Sequence, residues 1–202
     1  MGGDSQLTPS EVEVIVKPYY PKFIECIEGA WGEYYEAVSS AIRAKMEKRA
    51  RAAIIHCLMV HHAFRVFQGV TGINFVTARG YVHMNIQGRL LIRLKKLDDK
   101  GRPTNYQTRQ VKELNSGGML ADIPEAIRLV AGYQLDGLQS ALASLLIVAP
   151  RGRSLAFKLT IKDYGEGTGS LAGVSDITPP QTSSGTRLVQ KSAVPEKATS
   201  TE

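Results

Sequence analysis

The feature that most constrains this chain is a change of hydrophobic period near Gly69. Before it, apolar residues recur at three-to-four spacing, which gathers them on one face of a helix; after it, they alternate, which gathers them on one face of a strand. Helices first and strands afterwards argue against alternating βαβ units. They predict an α+β fold in which long N-terminal helices pack on an antiparallel sheet of about four to six strands.

The helical part opens on Thr8-Pro9-Ser10-Glu11, a cap candidate followed by proline and an acid in the first turn. Pro18 and Pro21 interrupt this helix early. A long helical stretch then runs from about Lys22 to Phe67. Ile24, Ile27, Trp31, Tyr34, Tyr35 and Val38 form its first apolar stripe, and Gly29 or Ser39-Ser40 marks a bend. Ala52 to Phe67 is apolar almost all round, the pattern of a helix buried on every side.

In the strand part, Val82, Met84 and Ile86 alternate with His83 and Asn85. Gln87-Gly88 reads as a two-residue turn, and Leu90, Ile92 and Leu94 then alternate with Arg89, Leu91, Arg93 and Lys95. This is a hairpin with one apolar face, Ile92 in the core and Arg93 outside. Residues 98–122 are polar and loop-like. Alternation resumes over Ile127–Leu135, continues in the buried-type run Ser144–Val148, turns at Pro150-Arg151-Gly152-Arg153 and ends on Leu155, Phe157, Leu159 and Ile161. From Tyr164 onward Gly, Ser, Thr and Pro dominate, too poor in large apolar side chains to offset the entropy of ordering. The expected organisation is one α+β domain over 8–163 and a disordered tail over 164–202.

Composition narrows the setting. No apolar run reaches the roughly 20 residues that span a bilayer, and Met1–Ser10 lacks the pattern of a secretory signal. Cys26 and Cys57 both lie in apolar helical patterns and read as buried free thiols of a reducing, cytoplasmic compartment. The formal charge of +6 is uneven, for residues 1–163 carry 22 basic and 15 acidic side chains. Such an excess suits a phosphate-bearing or acidic partner.

The basic residues fall in two runs. Between Arg89 and Lys112 stand eight basic residues against Asp98 and Asp99. Period two sets Arg89, Arg93 and Lys95 opposite Leu90, Ile92 and Leu94, and Lys96, Lys100, Arg102 and Arg109 extend the charge. A strand face of this kind can follow a phosphate backbone; the plainer alternative is a solvated outer face with edge lysines. Asn105, Thr108 and Gln110 add donors and acceptors able to bond bases, backbone or a partner, or to stitch their own loop. The second run is Arg43, Lys45, Lys48, Arg49 and Arg51 on the helix.

Catalytic signatures are missing from the sequence. His56 and His61 are five apart with no glutamate after the first, unlike a helical zinc-protease pair. His62 and Arg65 can share a face, and a polar pair in an apolar helix fits satisfied core hydrogen bonds better than a metal site. No Gly-x-Ser-x-Gly occurs, and Gly165-x-Gly167-x-Gly169 leads into no helix. The expectation is a non-enzymatic protein with neither metal nor cofactor.

Several stretches resemble an uncharacterised bacterial family encoded beside metallopeptidases of the ImmA/IrrE class. They are Lys48-Arg49-Ala50-Arg51-Ala52 leading to Ile55-His56-x-Leu58-Met59, then Arg93-Leu94-Lys95-Lys96-Leu97, Asn105-x-x-Thr108-x-Gln110 and Gly132-Tyr133-x-Leu135-Asp136. Family members often have an acid where His56-Cys57 stands. The resemblance implies an accessory or regulatory protein of a prokaryotic toxin–antitoxin, phage-defence or mobile-element system, whose partner is a toxin or metallopeptidase. The alternative from the residues themselves is a nucleic-acid-binding protein that contacts DNA or RNA backbone through the basic hairpin.

Overall fold

The computed structural model describes residues 7–78, 80–104, 126–152 and 154–165. The expected tail from Glu166 on, and Asn105, Thr108, Arg109 and Gln110, lie outside the described residues.

Helix α1 (Pro9–Val16) begins on a reciprocal cap: Thr8 Oγ1 accepts from the Glu11 amide while the Glu11 carboxylate accepts from the Thr8 amide. Pro18 leaves a 3₁₀ turn over Lys17–Tyr19, and α2 (Tyr20–Ala37) starts with Pro21 in its first turn. The long helical stretch breaks at Val38-Ser39, as the serine pair suggested. Ser39 then caps the short α3 (Ser40–Lys45), and α4 (Lys48–Val66) follows. Helices α2 and α4 pack side by side. Cys26 Sγ donates to the Met59 carbonyl at 3.2 Å, and Lys22 Nζ donates to the Val66 carbonyl at 3.1 Å, a cation at the negative end of α4.

Two expectations about α4 need correction. It is not buried all round: Ala53, Cys57, His61 and Phe64 form an exposed stripe, because the sheet and α2 cover only one side of it. Cys57 is therefore exposed, whereas Cys26 is buried and burial pushes its thiol up to about 12. Of the histidines, His62 is satisfied as expected. Arg65 donates to Nδ1 at 2.9 Å, which fixes the proton on Nε2, and Nε2 donates to Glu33 at 2.7 Å.

The six strands are β1 (Ile73–Ala78), β2 (Tyr81–Ile86), β3 (Leu90–Lys96), β4 (Ile127–Leu135), β5 (Leu142–Arg151) and β6 (Ser154–Asp163), in that spatial order. The fold is α+β as expected. The sheet, however, is not purely antiparallel: two three-stranded meanders meet along the parallel pair β3–β4, in register Leu90↔Ile127 to Lys96↔Tyr133. The sequence reading had no β1, although Ile73, Phe75 and Thr77 alternate. The β2–β3 turn is also one residue longer than a two-residue hairpin, because Ile86 pairs with Leu90. Gln87 and Gly88 take left-handed φ of 55° and 69°, and the Arg89 amide donates back to the Ile86 carbonyl at 3.0 Å.

Helices cover one face of the sheet. Met84, Ile86, Leu90, Ile92, Leu94, Leu129, Ala131, Tyr133, Leu145 and Ile147 pack there against Phe23, Ile27, Trp31, Ile55 and Met59. The opposite face holds a smaller cluster of Leu97, Val130, Leu146 and Val148 with Leu155, approached by the tight loop at Gly101.

Tyr133 carries a test of this packing. Its ring is buried against Trp31 at 6.0 Å between centroids, burial raises its phenol well above the usual range, and its hydroxyl has no partner among the described residues. An orphaned buried hydroxyl contributes nothing favourable, so Tyr133→Phe keeps the packing and removes a penalty of about 1 kcal/mol. The midpoint of urea unfolding is expected to stay level or rise; a clear fall would show a partner for that hydroxyl.

Candidate functional site: a basic surface around the β4–β5 turn

The sequence places Arg89, Arg93 and Lys95 in one strand row. In the fold the expected basic surface divides. Arg89 is exposed in the β2–β3 turn rather than on the strand. Arg93 does point away from the helices, but it is not outside: only 8% of it is accessible, and its guanidinium lies 4.0 Å from the Tyr81 ring centroid. Lys95 shares that face half-buried, and burial, then the nearby Arg93, lowers its ammonium to about 8. Lys96 points to the helix side. Arg102 is exposed but held by Asp98, whose Oδ2 accepts from its Nε and terminal nitrogen at 2.8 Å. Lys100 is exposed beside it. An open row of cations along β3 is therefore absent, because period two says which face a residue takes and not what covers that face.

The structure instead brings the helix run 43–51 together with one cation of the strand run, Lys96, at one end of the sheet. The link is the β4–β5 turn, Asp136-Gly137-Leu138-Gln139-Ser140. Asp136 fastens the turn from within: Oδ1 accepts from the Ser140 amide at 2.6 Å and the Ala141 amide at 3.1 Å, and Oδ2 accepts from the Ser140 hydroxyl at 2.8 Å. Gln139 sits at φ 57°, an unusual value for a side chain larger than glycine. Its neighbours hold it there. Arg51, from the first turn of α4, donates to the Gln139 carbonyl at 2.9 Å and to its Oε1 at 3.2 Å, and Lys96 Nζ donates to the same Oε1 at 3.2 Å.

Other groups complete the surface. Tyr35 Oη donates to the Ser140 carbonyl at 2.8 Å, and the Arg43 guanidinium lies 4.5 Å from the Tyr35 ring centroid while bonding the Tyr35 and Val38 carbonyls. Lys45, Lys48 and Arg49 are exposed around this core. The cations feel one another: burial, then Arg51 and Lys48, lowers the Lys96 ammonium below its usual range. Helix α4 begins here as well, with Glu47 at its N-cap making no side-chain cap bond.

Leu138, at the tip of the fastened turn, is 88% exposed, and Ile42, beside Arg43, is 56% exposed. The other large exposed apolar residues described are Val14 and Phe64. The arrangement thus offers an exposed leucine on a fastened turn, and an exposed isoleucine next to Arg43, close to these cations. Sequence reading missed the turn, although Asp136-Gly137 is a turn signal and a leucine two residues later is out of place in one.

The chain matches no protein-family profile, no curated protein and no solved structure.

Proposed function

We propose that this chain is a non-enzymatic binding protein that engages an acidic, partly apolar protein surface through Leu138 and Ile42 and the cations around them. The observation that carries this reading is the fixed presentation of Leu138 on a turn held by Asp136, Arg51, Lys96 and Tyr35. Exposing a leucine has no benefit to the folded monomer. An anchor held rigid before contact loses little entropy on binding, and interfaces concentrate their energy in such anchors. The surrounding Lys45, Lys48 and Arg49 would speed encounter with an acidic partner and set its orientation. The resemblance to neighbours of ImmA/IrrE-class metallopeptidases supplies the setting of the proposal, an accessory protein of a prokaryotic defence or toxin–antitoxin locus.

The rival reading is nucleic-acid backbone binding by the same cations. Leu138 separates the two, since phosphate contacts need charge and not a leucine. In affinity purification from the native host with nuclease treatment, the wild type is expected to retain a protein partner. Leu138→Asp is expected to lose it while melting at the wild-type temperature. Retention that vanishes with nuclease, or that falls steeply with salt and ignores Leu138→Asp, would replace the protein reading by the nucleic-acid one.

A further inference from the structure

The two edges of the sheet are built differently. The β6 edge is guarded: Lys158, Lys162 and Asp163 stand on it, and its pairing with β5 shifts register twice. Charge and irregularity are how sheets keep other strands off their edges. The β1 edge has neither. None of Ile73-Asn74-Phe75-Val76-Thr77-Ala78 is charged, and the strand runs opposite β2 without a shift, from Ile73↔Ile86 to Ala78↔Tyr81.

The backbone shows which groups of β1 face outward. The Gln87 amide donates to the Gly72 carbonyl at 2.7 Å, so Gly72, and with it Asn74, Val76 and Ala78, turn their polar groups to β2. Ile73, Phe75 and Thr77 turn theirs away. The Ile73 amide agrees with this phase, for it donates to the Val70 carbonyl at 3.2 Å. Among the described residues no strand lies beyond β1, and no hydrogen bond outside the β1–β2 ladder reaches the amides or carbonyls of Phe75 and Thr77. An apolar strip accompanies this edge. Phe75 packs on the helix side against Phe64 of α4, 4.3 Å between ring centroids, and Phe64 is still 46% exposed. Arg65, which borders the same open pocket, is turned onto His62.

We infer that β1 is a dimerisation edge, pairing antiparallel with β1 of a second copy of this chain about a two-fold axis at Phe75. Symmetry selects this occupant. The outward groups are centred on Phe75, so Phe75 meets Phe75, Ile73 meets Thr77, and the amides of Phe75 and Thr77 each find a carbonyl. Residues opposed in this way lie about 5.5 Å apart between Cα atoms. The two Phe64–Phe75 pairs therefore close on one another and leave water together. Charge selects it as well: the chain carries a formal +6, so two copies repel where their cations meet, and β1 is an approach without a charged side chain. Pairing β1 with β6 would instead propagate into an open fibre, which the guarded β6 edge opposes. A β1–β1 pair leaves only guarded edges and closes as a dimer. The inference does not rest on the protein-partner reading of Leu138.

Sedimentation equilibrium of the full chain over a dilution series, joined to amide hydrogen exchange, tests it. The wild type is expected at twice the mass of one chain, dissociating on dilution, with the Phe75 and Thr77 amides protected in the dimer. Thr77→Lys charges the edge at a side chain that is already exposed. It is expected to weaken the dimer about tenfold or more while keeping the wild-type circular dichroism. Thr77→Pro removes an amide that the β1–β2 ladder does not use and is expected to do the same; should it lose its fold, Thr77→Lys decides. Thr160→Lys on the guarded edge and Leu138→Asp are both expected to keep the dimer. A wild type that stays at the mass of one chain overturns the proposal. Protected amides in that monomer would put another segment of the chain on the edge, and unprotected ones would leave the edge to a different protein. A dimer that persists in Thr77→Lys, that is lost in Leu138→Asp, or whose Phe75 and Thr77 amides exchange freely also overturns it, since the copies then meet elsewhere. So do assemblies larger than a dimer.

Discussion

Ile92→Asp is expected to yield no folded protein. Ile92 is buried at the centre of β3, paired with Met84 on one side and Leu129 on the other, on the face covered by the helices. The substitution gives up about 2–3 kcal/mol of apolar burial. It also places a carboxylate among the buried apolar residues described around it, which costs several kcal/mol more. Together these approach the whole stability of a domain, about 5–15 kcal/mol. Thr160→Asp on the edge strand β6, where the side chain is exposed, is the matched control and should stay within about 1 kcal/mol of wild type. Circular dichroism and urea unfolding of the two variants decide the matter. A folded Ile92→Asp protein would mean that β3 turns its other face to the helices.

Gly132→Ala is expected to cost about 3 kcal/mol, unusually much for one methyl group. Gly132 lies in β4 opposite Lys95, within the parallel pairing that joins the two meanders. A Cβ there would stand 2.0 Å from the Lys95 carbonyl oxygen and 3.1 Å from Leu97 Cγ. A flexible side chain could move aside, but a backbone carbonyl moves only with its strand. The methyl group must therefore pry β3 from β4 at the seam of the sheet. Gly137→Ala, in the β4–β5 turn with open space around it, provides the comparison and should leave the urea midpoint in place. If Gly132→Ala unfolds within about 1 kcal/mol of wild type, the close approach of β3 and β4 is wrong.

The same two positions show how far the sequence could be read. Alternation assigned Ile92 to the core and Arg93 to the other face, and both stand so. The parallel β3–β4 pairing was not legible, because alternation is identical in parallel and antiparallel strands and the partner of a strand is a long-range choice. Nor was Gly132 legible as a contact, since a glycine in a strand reads only as a weak point until the neighbouring carbonyl is placed against it. The expected basic face was half right for a related reason. The residue types and their face were readable, yet burial of Arg93, the pairing of Arg102 with Asp98 and the turning of Lys96 toward the helices depend on neighbours outside the strand.

The sequence by itself determined the local elements: the cap at Thr8, the break at Ser39, the order of helices before strands and the inward face of each strand after Gly69. These follow from backbone preferences and from periodicity, which act over a few residues. Only the tertiary structure decided what those elements bring together. It set Arg51 and Lys96, 45 positions apart in the chain, on one glutamine, and it raised Leu138 on a fastened turn between them. It also buried Arg93 on the face that alternation alone assigned to the outside. The physical reason is that charge and exposure are properties of three-dimensional neighbourhoods. A side chain's chemistry is written at its own position, but its desolvation and its partners are set by residues that the chain reaches only on folding.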